Sequence, residues 1–453
     1  MYQFTDPKVS HDWTWKEAFP GHEEIRAYLD HVIDRWNLAG SITCNSDVSE
    51  ASFDEESHRW TVRCADGRVL HARWVINALG FATQPYLPKI EGVHDFAGPS
   101  FHSARWPQQG IDVRGKRVAI IGTGASAVQI IQTIASEVGE LVVYQRTPSV
   151  CLPMRQQALS KAFQDQYKAS GDMDATMRRC KYEKFGGQDV GFVASRWAQD
   201  SDEQRLQVLE AAWEKGGFHP LLSTYFDAFV DPKVNAALWR FWAQKCRARI
   251  AKPEYRDLLA PLDALHAFGG KRTPMEQNYF EAFNRPNVKL VDTLTSPITR
   301  ILPSGIETAK EGVLEFDIVV FATGFDTNTG ALTAIDIRDT AGESLKSRWA
   351  NGVHTQFGLS TSRFPNMFNL YGPQAPTAFS NGPSCVEIQG EYIFDLVEDM
   401  TRAQVTRVET LPAAEQAWRQ STLDIWAKFV FSSTKGFYTG ANVEGKAQEP
   451  LNW

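Results

Sequence analysis

The stretch KRVAIIGTGASA, residues 116–127, joins a glycine motif to a predicted strand and a predicted helix. Residues 116–122 are mostly apolar, as in a buried parallel strand, and residues 125–138 have the spacing of an amphipathic helix. Residues 141–145, LVVYQ, form a second predicted strand. Together they make a β-α-β unit of about thirty residues, which predicts an α/β fold of the Rossmann type.

The turn between strand and helix matches the pattern G-x-G-x-x-G/A of dinucleotide-binding sites. The first glycine permits the tight turn, the second lets a pyrophosphate approach the backbone, and the final alanine allows the helix to pack closely on the strand. The N-terminus of the helix attracts phosphate. We therefore predict a dinucleotide site here, with a purely structural glycine turn as the alternative. The matching residues are Gly122, Thr123, Gly124, Ala125, Ser126 and Ala127.

The residues after the second strand bear on the choice between NAD and NADP. NAD sites usually have an acidic side chain at this strand end, where it accepts a hydrogen bond from the ribose 2′-hydroxyl. Here the sequence reads Gln145, Arg146 and Thr147. A guanidinium suits a doubly charged 2′-phosphate. The sequence favours NADP, and the alternative is that Arg146 is a solvated surface residue.

The composition of the 453-residue chain excludes several classes of function. A formal charge of −7 gives no basic field that would attract nucleic acid or an anionic membrane. The six cysteines form no C-x-x-C pair and no Cys/His cluster, so neither a metal site nor a disulfide framework is predicted. The N-terminus lacks the pattern of a secretory signal, and no apolar run reaches 18 residues. We expect a cytoplasmic protein with a small-molecule partner.

A second motif, FAGPSFHSARWP, occupies residues 96–107. By themselves, His102 is more often a structural histidine and Trp106 more often a core residue. The string connects the first predicted half-domain to the glycine motif, where a hinge or a ligand-sensing linker would lie.

With this string, the sequence resembles the Baeyer–Villiger monooxygenases, flavin enzymes that convert ketones to esters or lactones with NADPH and O₂. Further matches lie in the same order along nearly the whole chain: residues 122–129, which include Gln129, and residues 145–148, 271–272, 284–292, 322–326 and 440–446. The string 96–107 matches the family signature in every fixed position, namely Phe96, Gly98, His102, Trp106 and Pro107.

The resemblance implies FAD and NADP as cofactors, a ketone and O₂ as substrates, and catalytic roles for two residues. Arg272 matches an arginine held over the flavin, where its charge stabilises the negative charge that grows on the attacked carbonyl oxygen. His102 matches a residue that couples the position of the nicotinamide to catalysis. Without the resemblance, Lys271 and Arg272 would be read as a basic pair at a strand edge.

The resemblance also implies residues that contact the two cofactors. Lys271, Arg146 and Thr147 match contacts to the 2′-phosphate of NADP. Tyr2 and Val48 match parts of the FAD surroundings, as does the turn after residue 371.

The sequence departs from the family in three respects. Members begin with another G-x-G-x-x-G unit that cradles the FAD pyrophosphate and is followed by an aspartate that pairs with the catalytic arginine; neither is found here. The sequence ends before the usual C-terminal segment, and Phe437 stands where many members have tryptophan. Losing the first unit would remove the phosphate site and a central strand, leaving apolar faces and strand edges open. We therefore expect this chain alone to bind FAD poorly or not at all.

The predicted fold class is α/β, a Rossmann-like flavoprotein with two dinucleotide-binding domains, of which the FAD domain is incomplete. We expect the FAD domain at residues 1–92 and 326–453, the NADP domain at 93–150 and 267–325, and a helical insertion at 151–266. Two alternatives stay open. A flavin monooxygenase that oxygenates nitrogen or sulfur typically lacks the Trp106–Pro107 ending. The other alternative is a non-catalytic NADP-binding remnant, or a subunit that relies on another chain for FAD.

Overall fold

The computed structural model describes residues 2–377 and 379–451, and mixes helices with several small sheets. The strands, in chain order, are β1 (Val48–Asp54), β2 (Arg59–Cys64), β3 (Val69–Ala72), β4 (Val75–Asn77), β5 (Ser100–His102), β6 (Arg117–Ile121), β7 (Glu140–Gln145), β8 (Leu152–Pro153), β9 (Met275–Glu276), β10 (Val288–Asp292), β11 (Ile298–Leu302), β12 (Gly305–Thr308), β13 (Gly312–Glu315), β14 (Ile318–Phe321), β15 (Asp336–Arg338) and β16 (Met367–Asn369).

The α-helices lie before, between and after these strands. They are α1 (Pro7–Ser10), α2 (His22–Arg35), α3 (Ala125–Ile134), α4 (Lys161–Ala169), α5 (Asp172–Tyr182), α6 (Asp202–Lys215), α7 (His219–Leu222), α8 (Pro232–Arg247), α9 (Pro253–Leu259), α10 (Tyr279–Ala282), α11 (Gly330–Ala334), α12 (Leu345–Arg348), α13 (Gly382–Arg402) and α14 (Pro412–Trp426).

A parallel sheet of strand order β10-β7-β6-β14-β5 forms the centre of the part of the chain that carries the glycine motif. Its inner strands are buried on both faces, as the apolar sequence of residues 116–122 predicts. Helix α3 packs its fully buried Ala127, Val128 and Ile131 into the main hydrophobic core. The carboxyl ends of β6, β7, β14 and β5 therefore meet at one edge of the sheet, where ligands of such folds bind.

The predicted helix at 125–138 is shorter than expected, because α3 ends at Ile134. The backbone N–H of Val138 still bonds the carbonyl oxygen of Ile134 at 3.2 Å, so one further loose turn follows the helix. Asn287, just before β10, donates hydrogen bonds to the carbonyl oxygens of Ala135 (3.0 Å) and Val138 (2.9 Å) in this turn. These contacts satisfy carbonyl groups that the helix leaves without an intrahelical partner.

A second group of sheets is formed by residues from both ends of the chain. Strands β1, β2 and β3 form an antiparallel meander, and β15 pairs with β1 in parallel. Strand β16 pairs in parallel with β4. The predicted strand at 73–78 is thus confined to Val75–Asn77. The pairing of β1 with β15 and of β4 with β16 brings residues before the glycine motif together with residues far beyond it.

The helical insertion lies between β8 and β9, which pair in parallel as Leu152 with Met275 and Pro153 with Glu276. Its tryptophans are packing residues, as their spacing indicates: Trp239 and Trp242 are fully buried and their rings meet edge to face at 5.2 Å. In the described ranges, we find no helix that combines the length and the hydrophobicity needed to cross a bilayer.

Candidate functional site

The glycine turn lies at the carboxyl end of β6, as the sequence predicts. Gly122 has a φ of 107°, and a Cβ there would lie 2.4 Å from the carbonyl oxygen of Ala322, so only glycine fits. Gly124 is the N-cap of α3, and a Cβ there would meet no described atom within 4 Å. The turn therefore needs its first glycine for folding, whereas the second leaves its backbone open to a ligand.

The end of β7 lies beside this turn. The hydroxyl of Thr123 donates to the carbonyl oxygen of Thr147 at 2.8 Å. The side chain of Gln145 is buried and donates to the carbonyl oxygen of Leu258 in the insertion, at 2.7 Å. Gln145 is thereby turned away from solvent, while Arg146 is exposed at the strand end. The structure thus brings the glycine turn and Arg146 to the same edge of the sheet.

Lys271 joins Arg146 at this edge although it comes from the segment before β9. Burial lowers the pKa of the Lys271 ammonium, and the positive charge of Arg146 lowers it further. Within residues 2–377 and 379–451, neither side chain forms an ion pair with a carboxylate. Two like charges held together without an acidic partner favour binding of an anion between them. A phosphate group would supply that charge.

Arg272, the next residue, lies among aromatic side chains. Its guanidinium is exposed and lies 5.8 Å from the ring centre of Phe81, which packs against Tyr371 at 5.6 Å. Burial raises the pKa of the phenol groups of Tyr2 and Tyr371, and the positive charge of Arg272 opposes that rise in both. The charge of Arg272 therefore reaches Tyr2, the other residue that the sequence assigned to the flavin surroundings, while the ring of Tyr2 itself packs on Trp15 at 6.5 Å.

His102 is buried at the carboxyl end of the edge strand β5, opposite Phe321 of β14. Its Nδ1 accepts a hydrogen bond from the backbone N–H of Ala104 at 3.1 Å, which assigns the ring proton of the neutral form to Nε2. The ring of Phe325 packs edge to face against it at 5.3 Å. Burial lowers the pKa of the His102 imidazole, so the neutral ring is favoured at pH 7.

The other signature residues have packing roles in this structure. Phe96 is buried in a cluster with strand residues of the parallel sheet. A Cβ at Gly98 would lie 2.8 Å from the carbonyl oxygen of Asp317. Trp106 packs edge to face on Phe101 at 5.0 Å, and the carbonyl oxygen of Pro107 accepts the N–H of Gly110. The signature thus shapes the segment around His102.

Several predicted site residues lie apart from these groups. Val48 begins β1 opposite Cys64 and is 37% exposed, and no contact in the described part of the chain joins it to Tyr2 or Arg272. Gln129 lies on the exposed side of α3. The three remaining residues of the glycine motif become more buried along the first turn of α3: Ala125 is exposed, Ser126 is half-buried and Ala127 is buried.

Two residues of the C-terminal segment bind residues 325–327, next to His102. The sequence did not predict this contact. The amide of Asn442 donates to the carbonyl oxygen of Phe325 at 2.7 Å. Lys446 forms an ion pair with Asp326 and donates to the carbonyl oxygen of Thr327 at 2.8 Å. Two matched motifs, at 322–326 and 440–446, therefore touch each other. The sequence showed the two motifs separately but contained no sign that they touch.

Comparison with known proteins finds relatives that cover this whole chain. A model of the family described as "Pyridine nucleotide-disulphide oxidoreductase" matches residues 2–172. The FAD-binding monooxygenase VdtE of Byssochlamys spectabilis is 60% identical over 458 residues, which cover 100% of this chain and 80% of that protein. Cyclopentanone 1,2-monooxygenase of a Comamonas strain is 40% identical over 453 residues, covering 100% of this chain and 82% of that protein.

A solved structure extends the agreement to the fold. Cyclohexanone monooxygenase of Rhodococcus sp. Phi1, bound to NADP⁺, superposes with a TM-score of 0.94 at 32% identity, covering 100% of this chain and 83% of that one. The predicted fold class, a Rossmann-like flavoprotein with two dinucleotide-binding domains, is confirmed. This chain belongs to the Baeyer–Villiger monooxygenases, the flavin-containing monooxygenase family that its motifs resemble.

Proposed function

We propose that this protein is an NADPH-dependent flavin monooxygenase that inserts one oxygen atom of O₂ next to a ketone carbonyl, giving an ester or a lactone. The observation that carries the proposal is the position of two consecutive residues. Lys271 lies close enough to Arg146 for the arginine's charge to lower the pKa of the lysine, and the guanidinium of Arg272 lies 5.8 Å from the ring centre of Phe81, which packs against Tyr371. One dipeptide therefore joins an anion site to a site where negative charge can be stabilised.

The residues at the sheet edge fit NADP. The exposed N-terminus of α3 and the open backbone at Gly124 suit a pyrophosphate. The unpaired cations Arg146 and Lys271 suit the 2′-phosphate, with Thr147 beside them. The electrostatic proximity of the two cations supports this fit, because they repel each other in the absence of an anion.

The residues around Arg272 fit a planar flavin. Aromatic rings and a guanidinium offer stacking surface and a positive charge at one place, and Tyr2, Phe81 and Tyr371 provide the rings. When bound, FAD supplies the redox chemistry that passes electrons from NADPH to O₂. We also keep the predicted FAD contact of Val48 and the predicted role of Gln129 at the glycine motif as proposals.

The chain's own residues then orient the nicotinamide and stabilise the charge that develops on the substrate. The Arg272 guanidinium supplies a positive charge where negative charge grows on the attacked carbonyl oxygen. His102 is held neutral by burial and fixed in one tautomer by the Ala104 N–H. We propose that it acts by holding the Phe325 segment beside the nicotinamide site, and not by transferring a proton.

We further propose the predicted domain division, with an NADP domain at residues 93–150 and 267–325 and an FAD domain from both ends of the chain. A cytoplasmic location is also proposed. Its support is that all six cysteines are free thiols, as is usual in a reducing compartment.

The test is product analysis with isotopically labelled oxygen. Weak FAD binding by the chain alone stays a proposal, so the flavin absorbance that purified protein retains after gel filtration with FAD is measured first. Protein that retains FAD is then incubated with NADPH and ¹⁸O₂, in separate reactions with a cyclic ketone, a tertiary amine and a thioether. We expect a lactone carrying one ¹⁸O from the ketone. Formation of only the N-oxide or the sulfoxide would favour the nitrogen- or sulfur-oxygenating alternative, and absence of NADPH consumption with every substrate would favour the non-catalytic one.

A further inference from the structure

The segment that carries Lys271 and Arg272 is held at its upstream end by the helical insertion. Asn235 of α8 is buried, with 4% of its surface exposed. Its Oδ1 accepts the backbone N–H of Phe268 at 2.7 Å, and its Nδ2 donates to the carbonyl oxygen of the same residue at 3.0 Å. Nδ2 also donates to the carbonyl oxygen of Ala228 at 2.9 Å. One amide thus fixes both polar groups of the Phe268 backbone.

Two glycines follow Phe268 and lie tightly against neighbouring segments. A Cβ at Gly269, whose φ is 85°, would lie 2.8 Å from Leu221, and a Cβ at Gly270 would lie 2.5 Å from the hydroxyl oxygen of Thr434. That hydroxyl accepts the N–H of Ala267 at 3.2 Å. The backbone leading to Lys271 therefore has little room to move.

The same segment is held at its downstream end by a residue just beyond α8. Arg249 forms a bidentate ion pair with Glu276 of β9, with N···O distances of 2.5 and 3.0 Å. Glu276 is 1% exposed and also accepts the N–H of Tyr279. A bidentate pair to a buried carboxylate is geometrically specific, so it fixes the end of the short strand β9.

We propose that Asn235, near the start of α8, and Arg249, just beyond its end, are positioning residues that hold Lys271 and Arg272 at the site. The insertion then serves as the scaffold of the basic dipeptide. The proposal rests on the proposed function in one respect only, namely the roles given to Lys271 and Arg272. The spatial restraint itself follows from the contacts of residues 268 and 276.

The first experiment compares Asn235→Ala with a matched control. Asn366→Ala removes an equally buried amide that also bridges backbone groups, since Asn366 donates to Thr406 O and accepts from Val408 N in another segment. Each change removes side-chain hydrogen bonds to buried backbone and should lower the melting temperature. The control thus reports what loss of stability alone does to the site.

Trypsin cleavage after Lys271 and Arg272 reports the local restraint without any turnover. We expect Asn235→Ala to be cut there at least about tenfold faster than the wild type, with the fragments identified by mass spectrometry. Asn366→Ala should be cut there at the wild-type rate. Equal cleavage rates at these two residues in Asn235→Ala and Asn366→Ala would overturn the proposal.

Binding of NADP⁺ gives a second readout. We expect the dissociation constant for NADP⁺ to rise about tenfold in Asn235→Ala and to stay unchanged in Asn366→Ala, as measured by titration calorimetry. Arg249→Lys keeps the charge beside Glu276 but loses the bidentate geometry, so it should show the same changes to a smaller degree. An Arg249→Lys variant with wild-type cleavage and wild-type affinity would remove Arg249 from the proposal.

These measurements separate the inference from the proposed function. If the wild type forms no lactone but Asn235→Ala still opens the segment to trypsin, the positioning role stands and the proposed reaction is wrong. If the wild type forms lactone and Asn235→Ala shows neither faster cleavage nor weaker NADP⁺ binding than Asn366→Ala, the reaction stands and the positioning role is wrong.

Discussion

Lys271 lies close enough to Arg146 for the arginine's charge to lower the pKa of the lysine, although β7 and the segment before β9 are separated by the whole helical insertion. Neither side chain has a carboxylate partner in the described parts of the chain. The repulsion between the two cations is unfavourable in isolation and is offset when an anion with two negative charges binds near both of them.

Replacement of Arg146 should therefore change the choice of nicotinamide cofactor. We expect Arg146→Ala to raise the KM for NADPH by roughly 10- to 100-fold, because one charge-assisted contact is lost. The KM for NADH should change by less than about threefold. Steady-state kinetics with each cofactor give both values. The control is Arg114→Ala, since Arg114 is exposed and pairs with Asp112 before β6. Equal changes in KM for both cofactors would show that Arg146 does not bind the 2′-phosphate of NADPH.

The affinity for NADP⁺ should also depend on pH through Lys271. Because the pKa of Lys271 is lowered, the ammonium loses its proton below the usual pKa of a lysine. The dissociation constant for NADP⁺ should thus rise as the pH increases toward that range, while that for NAD⁺ stays nearly constant. Lys271→Arg keeps its charge at all these pH values and should abolish the dependence. A pH dependence that persists in Lys271→Arg would contradict the assignment.

The two glycines of the turn should respond differently to alanine. Gly122→Ala places a Cβ against the Ala322 carbonyl at a positive φ and should cost more than about 2 kcal/mol of unfolding free energy. Gly124→Ala meets open space at a φ of −70°, so it should leave the melting temperature nearly unchanged while weakening NADP⁺ binding at least about tenfold. Thermal melting and calorimetry separate these effects. Tight NADP⁺ binding by Gly124→Ala would argue against a pyrophosphate at this turn.

Arg272→Ala should abolish oxygenation but leave flavin reduction measurable. Removing the charge should lower product formation at least about 100-fold, the size of effect seen for a preorganised electrostatic contact. Anaerobic stopped-flow bleaching of the flavin by NADPH, in protein loaded with FAD, measures the reduction step separately. Arg300→Ala, which removes an exposed arginine from β11, serves as the control. Near-normal product formation by Arg272→Ala would mean that the assigned role of Arg272 is wrong.

His266, just before the Phe268 contact, should make the fold sensitive to acid. Burial lowers the pKa of its imidazole to about 4, and its Nε2 lacks a hydrogen-bond partner in the described residues. The unfolded chain takes up this proton near pH 6.5, so below that pH protonation favours unfolding. The stability due to neutral His266, up to about 3 kcal/mol, is lost as the pH falls from 6.5 to about 4.

Melting temperatures of the wild type and His266→Phe between pH 7.5 and 4.5 check this expectation. The wild type should lose more stability on acidification than the variant, because the other histidines with lowered pKa values, His102, His219 and His354, are common to both proteins. Parallel curves for the two proteins would show that His266 does not carry the effect.

Local pattern predicted the parts of this protein that depend on nearby residues. Strand β6, the glycine turn and the start of α3 follow from twelve consecutive residues, since burial of an apolar strand and the backbone freedom of glycine are local properties. The end of α3 was predicted four residues too late, and the turn that follows it is held by Asn287 from a distant segment. No periodicity within the helix encodes that contact.

The site shows the same division. The sequence predicted Arg146 and the glycine turn as site residues from their chemistry, and Lys271, Arg272 and Tyr2 through family resemblance. It gave no indication that Phe81 lies under Arg272 or that Asn235 holds the Phe268 backbone.

The sequence by itself thus determined the α/β class, the dinucleotide motif and the preference for a phosphorylated cofactor, because each depends on residue type and short spacing. Only the tertiary structure decided which cations meet, which rings surround Arg272 and what holds its segment. Those contacts join residues that are far apart in the chain, and their free energies depend on burial and distance, which exist only once the chain has folded.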